Sequence, residues 1–215
     1  MNVSRRTLLQ AAGAGAVVGV AGCLGDDRPE AAGEPVDSLP APVAGDPDAD
    51  VTVEVYADFA CPGCRWFELE VAPELTAEYV DPELVRYEHR DFPIPVDDTW
   101  SWAVANAARS VQDREGDDAF WSFVPTVFQS QDDYSYDVLA SIADEFGYDG
   151  ERTSADAEAG TYDAVLEDDR GRGETAGVGG TPAIVVDGGI VDIPEQPTVD
   201  DVVTEISGAI DDALE

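Results

Sequence analysis

A β-branched, alternating run, Val51-Thr52-Val53-Glu54-Val55-Tyr56, leads within five residues into Cys61-Pro62-Gly63-Cys64. Alternation with β-branching marks a strand. Pro62 suits the first position of a helix, where its missing N–H has no partner to lose. Phe67, Val71 and Leu75 then recur every four residues and give that helix a buried stripe. Pro73 interrupts the stripe and is expected to kink the helix rather than end it, because Leu75 carries the pattern on. Few folds place two thiols at such a junction.

The spacing lets the two thiols close a small disulfide with little backbone change. Cys61 would sit at the helix start, where free N–H groups and the helix dipole favour a thiolate. The thiolate is the nucleophile of disulfide exchange. Cys64, one turn in and more buried, is expected to stay a thiol until it resolves a mixed disulfide. Two other readings compete. A structural disulfide of this size constrains little chain and stabilises weakly. A zinc site usually needs four Cys or His ligands, and past Cys23 the sequence offers Cys61, Cys64 and His89. C-x-x-C after a strand and opening a helix favours redox chemistry over both, with no metal and no cofactor.

A second strand is expected over residues 84–92, with Val85, Tyr87 and His89 on one face; His89 there reads as packed rather than catalytic. Helices are expected from Thr99 to Val111, from Asp117 or Asp118 through Phe120, Trp121 and Phe123, over residues 136–146, and over residues 154–169. Ala183-Ile184-Val185-Val186, a turn at Asp187-Gly188-Gly189 and a strand over residues 190–193 read as a hairpin. Thr198 caps a last helix with Val199, Val202, Val203, Ile206 and Ile210 as its stripe. The order is β-α-β, a helical block at about residues 97–170, then β-β-α. This is an α/β chain with a thioredoxin-like fold and a helical insertion between its halves. Before the third strand stands Gly177-Val178-Gly179-Gly180-Thr181-Pro182. A Pro there cannot continue a ladder, and on base rates its bond would be trans.

From Asp46 to the C-terminus the chain resembles the DsbA-like branch of the thioredoxin superfamily. The resemblance rests on residues 51–64, on Val71-Ala72-Pro73-Glu74-Leu75, Arg90-Asp91-Phe92-Pro93, Ala107-Ala108-Arg109 and Phe120-Trp121, and on the loop 177–182. It implies that Pro182 is cis and packs beside a Cys61–Cys64 redox disulfide, and that the Thr181 backbone pairs with a substrate strand. It also implies protein substrates outside the cell and a membrane redox partner of the DsbB or VKOR type, or an electron carrier. Family members often carry an acid six positions before the first Cys; here that position is Val55. Glu54 should face the other way, and Asp58, on a turn, is given no catalytic role. Pro62-Gly63 lacks the His of the strongly oxidising members, so a less oxidising potential is expected. From another class, a thioredoxin-fold lipoprotein that binds peptide or metal with an inert disulfide remains open.

Residues 1–22 read as an address. Ser4-Arg5-Arg6-Thr7-Leu8-Leu9 is a twin-arginine pattern, followed by a glycine-rich apolar run too short for the ~20 residues of a span. Val20-Ala21-Gly22-Cys23 resembles a lipobox, which makes Cys23 the lipidated N-terminus; the other reading is a stray thiol in a cleaved peptide. Residues 23–47 are expected to be a flexible acidic linker and 48–215 the folded domain. Cleavage before Cys23 would remove Arg5 and Arg6 and no acid, taking the net charge from −36 to −38.

The 47 acids face 11 arginines and no Lys, which excludes nucleic-acid binding through phosphate contacts. The acids are spread along the chain rather than gathered. A solvated acidic coat of the kind found at very high salt is therefore preferred over a docking surface for basic partners.

Overall fold

The computed structural model describes residues 28–94 and 96–215. Cys23 and the twin-arginine segment lie outside them. Among the described residues no helix is long and apolar enough to cross a membrane.

Five strands form one sheet in the order β1-β3-β2-β4-β5. They are β1 (Val43–Gly45), β2 (Thr52–Ala57), β3 (Arg86–Asp91), β4 (Ala183–Val186) and β5 (Gly189–Ile190). β2 runs parallel to β3, with Val53 opposite Tyr87 and Val55 opposite His89, and antiparallel to β4, with Tyr56 opposite Ala183. β2 therefore ends where β4 begins, which brings the Cys motif and the 181–182 loop to the same end of the sheet. In the hairpin, Asp187 and Gly188 both take positive φ (47° and 81°), the backbone of a tight two-residue turn. β5 is shorter than the run 190–193 suggests.

The Cys helix starts as α1 (Pro62–Trp66) and continues through a π turn (Phe67–Val71), α2 (Ala72–Leu75) and a second π turn (Thr76–Val80). Pro73 does not end it. The Ala72 N–H instead bonds the Phe67 carbonyl five residues back, so the ladder slips register around the proline. The insertion comprises α3 (Trp100–Glu115), α4 (Asp117–Gln129), α5 (Tyr136–Glu145), α6 (Gly150–Ala159) and α7 (Asp163–Ala176). The single helix expected over 154–169 is thus two, broken where Gly160 adopts φ 63°. The closing helix α8 (Val199–Leu214) carries a full capping box between Thr198 and Asp201 and buries Val202, Ile206 and Ile210.

Two cores result. Phe67, Val71 and Leu75 pack with Val53, Val55, Ile184, Ile206 and Ile210 under the sheet. Phe59, Cys61 and Cys64 instead join Phe120, Phe123, Val127 and Phe128 of the insertion. The redox turn is therefore built against the insertion rather than against the sheet alone.

The segment 23–47 corrects the expectation of a free linker. From Arg28 onward it is bound to the insertion: the Gly33 N–H donates to Asp156 at 2.6 Å and the Val36 N–H to the Thr161 carbonyl at 2.8 Å. β1 then adds to the sheet antiparallel to β3. The Pro and Ala that suggest a tether instead supply carbonyls and small apolar surface to a packed strap.

The acids also divide. Asp58, Glu88, Asp91, Asp156 and Asp169 are buried, and four of these five pair with arginine: Glu88, Asp91, Asp156 and Asp169. The few cations are thus concentrated on the interior acids, which leaves the outer surface strongly anionic.

Candidate active site

β2 ends at Ala57, and a turn closed by the Cys61 N–H on the Asp58 carbonyl (3.0 Å) delivers the chain to α1. Cys61 is the helix N-cap, with extended backbone, and Pro62 opens the first turn. Both cysteines are free thiols in this structure. Their exposures differ, 8% for Cys61 and 1% for Cys64.

Their acidities differ in the same sense. A hydrogen bond from the Cys64 thiol, working against burial, pulls Cys61 down to about 5, with Thr181 and the Cys64 and Gly63 N–H groups adding to it. Burial pushes Cys64 well above the ordinary thiol value, and the neighbouring Cys61 charge pushes it further. One thiol is therefore a thiolate at neutral pH and the other is not.

The Thr181–Pro182 bond is cis. Thr181 O lies 3.5 Å from Cys61 Sγ, and the Thr181 hydroxyl is buried without a partner. A Cβ built on Gly63 would stand 3.2 Å from Pro182 Cδ and 3.6 Å from Cys61 Sγ, so the loop packs directly on the helix start. Gly63 and Pro182 continue into an apolar groove of about 230 Å³ lined by Trp66, Phe67, Ile184, Ile193 and Val202. A larger cavity of about 470 Å³, lined by Glu68, Tyr87 and Trp121, contains neither sulfur nor Pro182.

Val55 is buried in the sheet core, and Glu54 faces the opposite side, where it pairs with Arg90 at 3.2 Å. No acid of β2 reaches the cysteines. Asp58 is only 1% exposed, and its carboxylate accepts the Ala60 N–H at 2.7 Å and the Ile94 N–H at 2.8 Å. Burial raises its pKa. Its own N–H donates to Cys64 Sγ at 3.3 Å. Asp58 thus braces the turn, a role its place in the sequence suggests only in part.

His89 is 2% exposed, packs on Phe59 and Phe120, and lies 3.3 Å from Asp91. It is a core residue of β3. Among the described residues no group of three or more His, Cys, Asp or Glu is arranged to hold a metal ion. Two contacts have no sequence signal: Gln131 and Tyr134, in an outwardly polar loop, reach the Phe59 carbonyl at 2.8 and 3.1 Å.

Comparison with known proteins agrees with this geometry. The family described as "Thioredoxin" matches residues 37–211. A probable disulfide bond formation protein D of Bacillus cereus is 31% identical over 153 residues, covering 68% of this chain and 69% of that protein. Among solved structures, BdbD from Bacillus subtilis in its oxidised form superposes with a TM-score of 0.71 at 23% identity, covering 85% of this chain and 99% of that one. A thioredoxin-like oxidoreductase from Silicibacter pomeroyi gives 0.62 at 28% identity, covering 80% and 91%. With the strand order, the Cys pair at the helix start and the cis-proline loop beside it, these matches identify the chain as a DsbA-like member of the thioredoxin superfamily.

Proposed function

We propose that the chain is a thiol–disulfide oxidoreductase that acts on proteins outside the cytoplasm, with Cys61 as attacking thiol and Cys64 as resolving thiol. The observation that carries this reading is the asymmetry of the pair: the low-pKa sulfur is the less buried of the two, and the high-pKa sulfur lies behind it. The names of the Bacillus relatives support the reaction class.

In the oxidising direction, a substrate thiolate attacks Cys61 Sγ of the Cys61–Cys64 disulfide, and Cys64 leaves and takes up a proton. A second substrate thiolate then attacks the substrate sulfur of the mixed disulfide and expels Cys61 as thiolate. The substrate loses two electrons and two protons, and the pair gains two electrons. A low Cys61 pKa makes it a good leaving group, which favours this direction. The Thr181 backbone offers a carbonyl to an extended substrate strand, and the groove beside Trp66 suits an apolar side chain. Reoxidation falls to a membrane partner of the DsbB or VKOR type. Twin arginines, apolar run and Cys23 support export and a lipid anchor on the outer face of the membrane.

The deciding measurement equilibrates the full chain with glutathione buffers and follows Trp66 emission, since Trp66 lines the groove at the motif. A potential between about −120 and −230 mV is expected for a catalytic exchanger, whereas one below about −300 mV would make the bond structural and favour a binding lipoprotein.

Alkylation of reduced Cys61 should track its thiolate, rising with a midpoint near pH 5 and staying flat from about pH 6.5 to 8; a midpoint near 9 would contradict the assignment. The folded pKa lies below the unfolded one. Its contribution to the reduced form is therefore fully present above the unfolded value and disappears as pH falls through the folded one. The reduced form should gain stability over the oxidised form between about pH 5 and 9. The acidic coat predicts a salt requirement. Repulsion is quenched at molar salt, where the screening length is ~3 Å, so the melting temperature should fall as salt is diluted out. A constant value would refute it.

A further inference from the structure

Gln131 reaches from the insertion to the redox turn. It stands in the 3-10 turn Gln131–Asp133 between α4 and α5. Its Nε2 donates to two carbonyls, Phe59 O at 2.8 Å and Cys61 O at 3.0 Å. The Tyr134 hydroxyl donates to the same Phe59 oxygen at 3.1 Å. Arg65, just past Cys64, ties back to the same loop through Asp132 at 2.8 Å. Gln131 and Tyr134 therefore hold both sides of the turn that carries Ala60 into the helix.

The Cys61 carbonyl is the first acceptor of α1, taking the N–H groups of Cys64 and Arg65 at 3.1 Å each. Peptide units are planar, so fixing the Phe59 and Cys61 oxygens fixes the tilt of the units between and just beyond them. Pro62 has no N–H to offer. The first donors available to Cys61 Sγ are then Gly63 and Cys64, and their aim depends on that tilt.

We propose that Gln131, seconded by Tyr134, is a positioning residue for the Cys61 thiolate, so that the insertion tunes how oxidising the Cys pair is. These contacts of Gln131 and Tyr134 stabilise the thiolate, hence the reduced form, and make the pair more oxidising than the helix start alone would. This rests on Cys61 being the attacking thiol.

The test is made in the full chain with Gln131→Leu, Gln131→Glu and Tyr134→Phe. It reads the thiolate absorbance against pH and the equilibrium constant with glutathione. Gln131→Leu should raise the Cys61 midpoint by about one unit and shift the equilibrium about tenfold towards the disulfide. Gln131→Glu should shift both at least as far, because it keeps the shape and replaces the donors with a negative charge. A residue that only fills space would tolerate Glu better than Leu. Tyr134→Phe, which deletes one oxygen, should shift both in the same direction by about two- to threefold and carries the test if the Gln131 variants do not fold. Unmoved midpoints and equilibria, whatever the melting temperature does, would overturn the proposal. If the unsubstituted chain itself fails to exchange with glutathione, the reading of Cys61 fails instead, and the inference falls with it.

Discussion

Cys61→Ser should reduce disulfide exchange to the uncatalysed background, while Cys64→Ser should leave a chain that binds its substrates covalently and does not release them. The two outcomes differ because the sulfurs differ in place and charge. Cys61 is the low-pKa member, and serine at that position supplies neither a thiolate nor a sulfur to attack. Cys64 is nearly inaccessible, with its Sγ against the Asp58 N–H at 3.3 Å. A substrate cannot easily reach it, but a mixed disulfide on Cys61 lies one helical turn away. Without that second sulfur the mixed disulfide has no internal exit. Non-reducing electrophoresis after thiol blocking should show adducts with Cys64→Ser and none with Cys61→Ser. The roles are misassigned if Cys61→Ser keeps a tenth of the rate or if the adducts form at Cys64.

Local signals carried the parts of this site that were legible in the sequence. The strand is readable from Val51, Val53 and Val55, the helix start from Pro62, and the meeting of the two sulfurs from the C-x-x-C spacing. The hairpin at Asp187-Gly188 and the capped helix at Thr198 are equally local. The approach of Pro182 to Gly63 is a long-range fact, and it was legible only through resemblance. Gln131 shows the limit. In the run Ser130-Gln131-Asp132-Asp133-Tyr134 it looks like a solvated loop, because its two acceptors are backbone carbonyls some seventy positions earlier. Carbonyls have no residue identity, so no sequence pattern points to them. Asp169 misleads in the opposite way: it sits in an acidic run, Glu167-Asp168-Asp169, yet only Asp169 turns inward to meet Arg109. Residues 28–45 fail as a tether for the same reason, since their partners Asp156, in α6, and Thr161, in the turn after it, lie far along the chain.

Arg109 is where those long-range contacts converge, and replacing it should cost the fold about 3–5 kcal/mol. It is fully buried in α3. Its guanidinium meets Asp91 of β3 at 2.6 Å, Asp169 of α7 at 2.5 Å, Gln112 at 2.9 Å and the Pro40 carbonyl at 3.2 Å. Burial alone would raise the Asp91 pKa, but Arg109, with His89, holds that carboxyl below its usual range. Arg109→Met keeps most of the volume and leaves the two carboxylates buried with less positive charge. That uncompensated charge, rather than a lost contact, is the source of the cost. The triple change Arg109→Met, Asp91→Asn and Asp169→Asn should therefore recover most of the loss, since it removes the guanidinium together with both carboxylates, and Arg90, which loses Asp169, keeps Glu54 and Glu88. Denaturant unfolding at one fixed salt concentration reads both variants; a single variant within about 0.5 kcal/mol of the parent, or a triple variant as damaged as the single, would refute the account. The damage should also reach the chemistry. Asp91 ends β3 three residues before Ile94, whose N–H holds the Asp58 carboxylate at 2.8 Å, and Asp58 braces the turn that presents Cys61. A loosened Arg109 cluster is thus expected to slow exchange even in conditions where the chain stays folded.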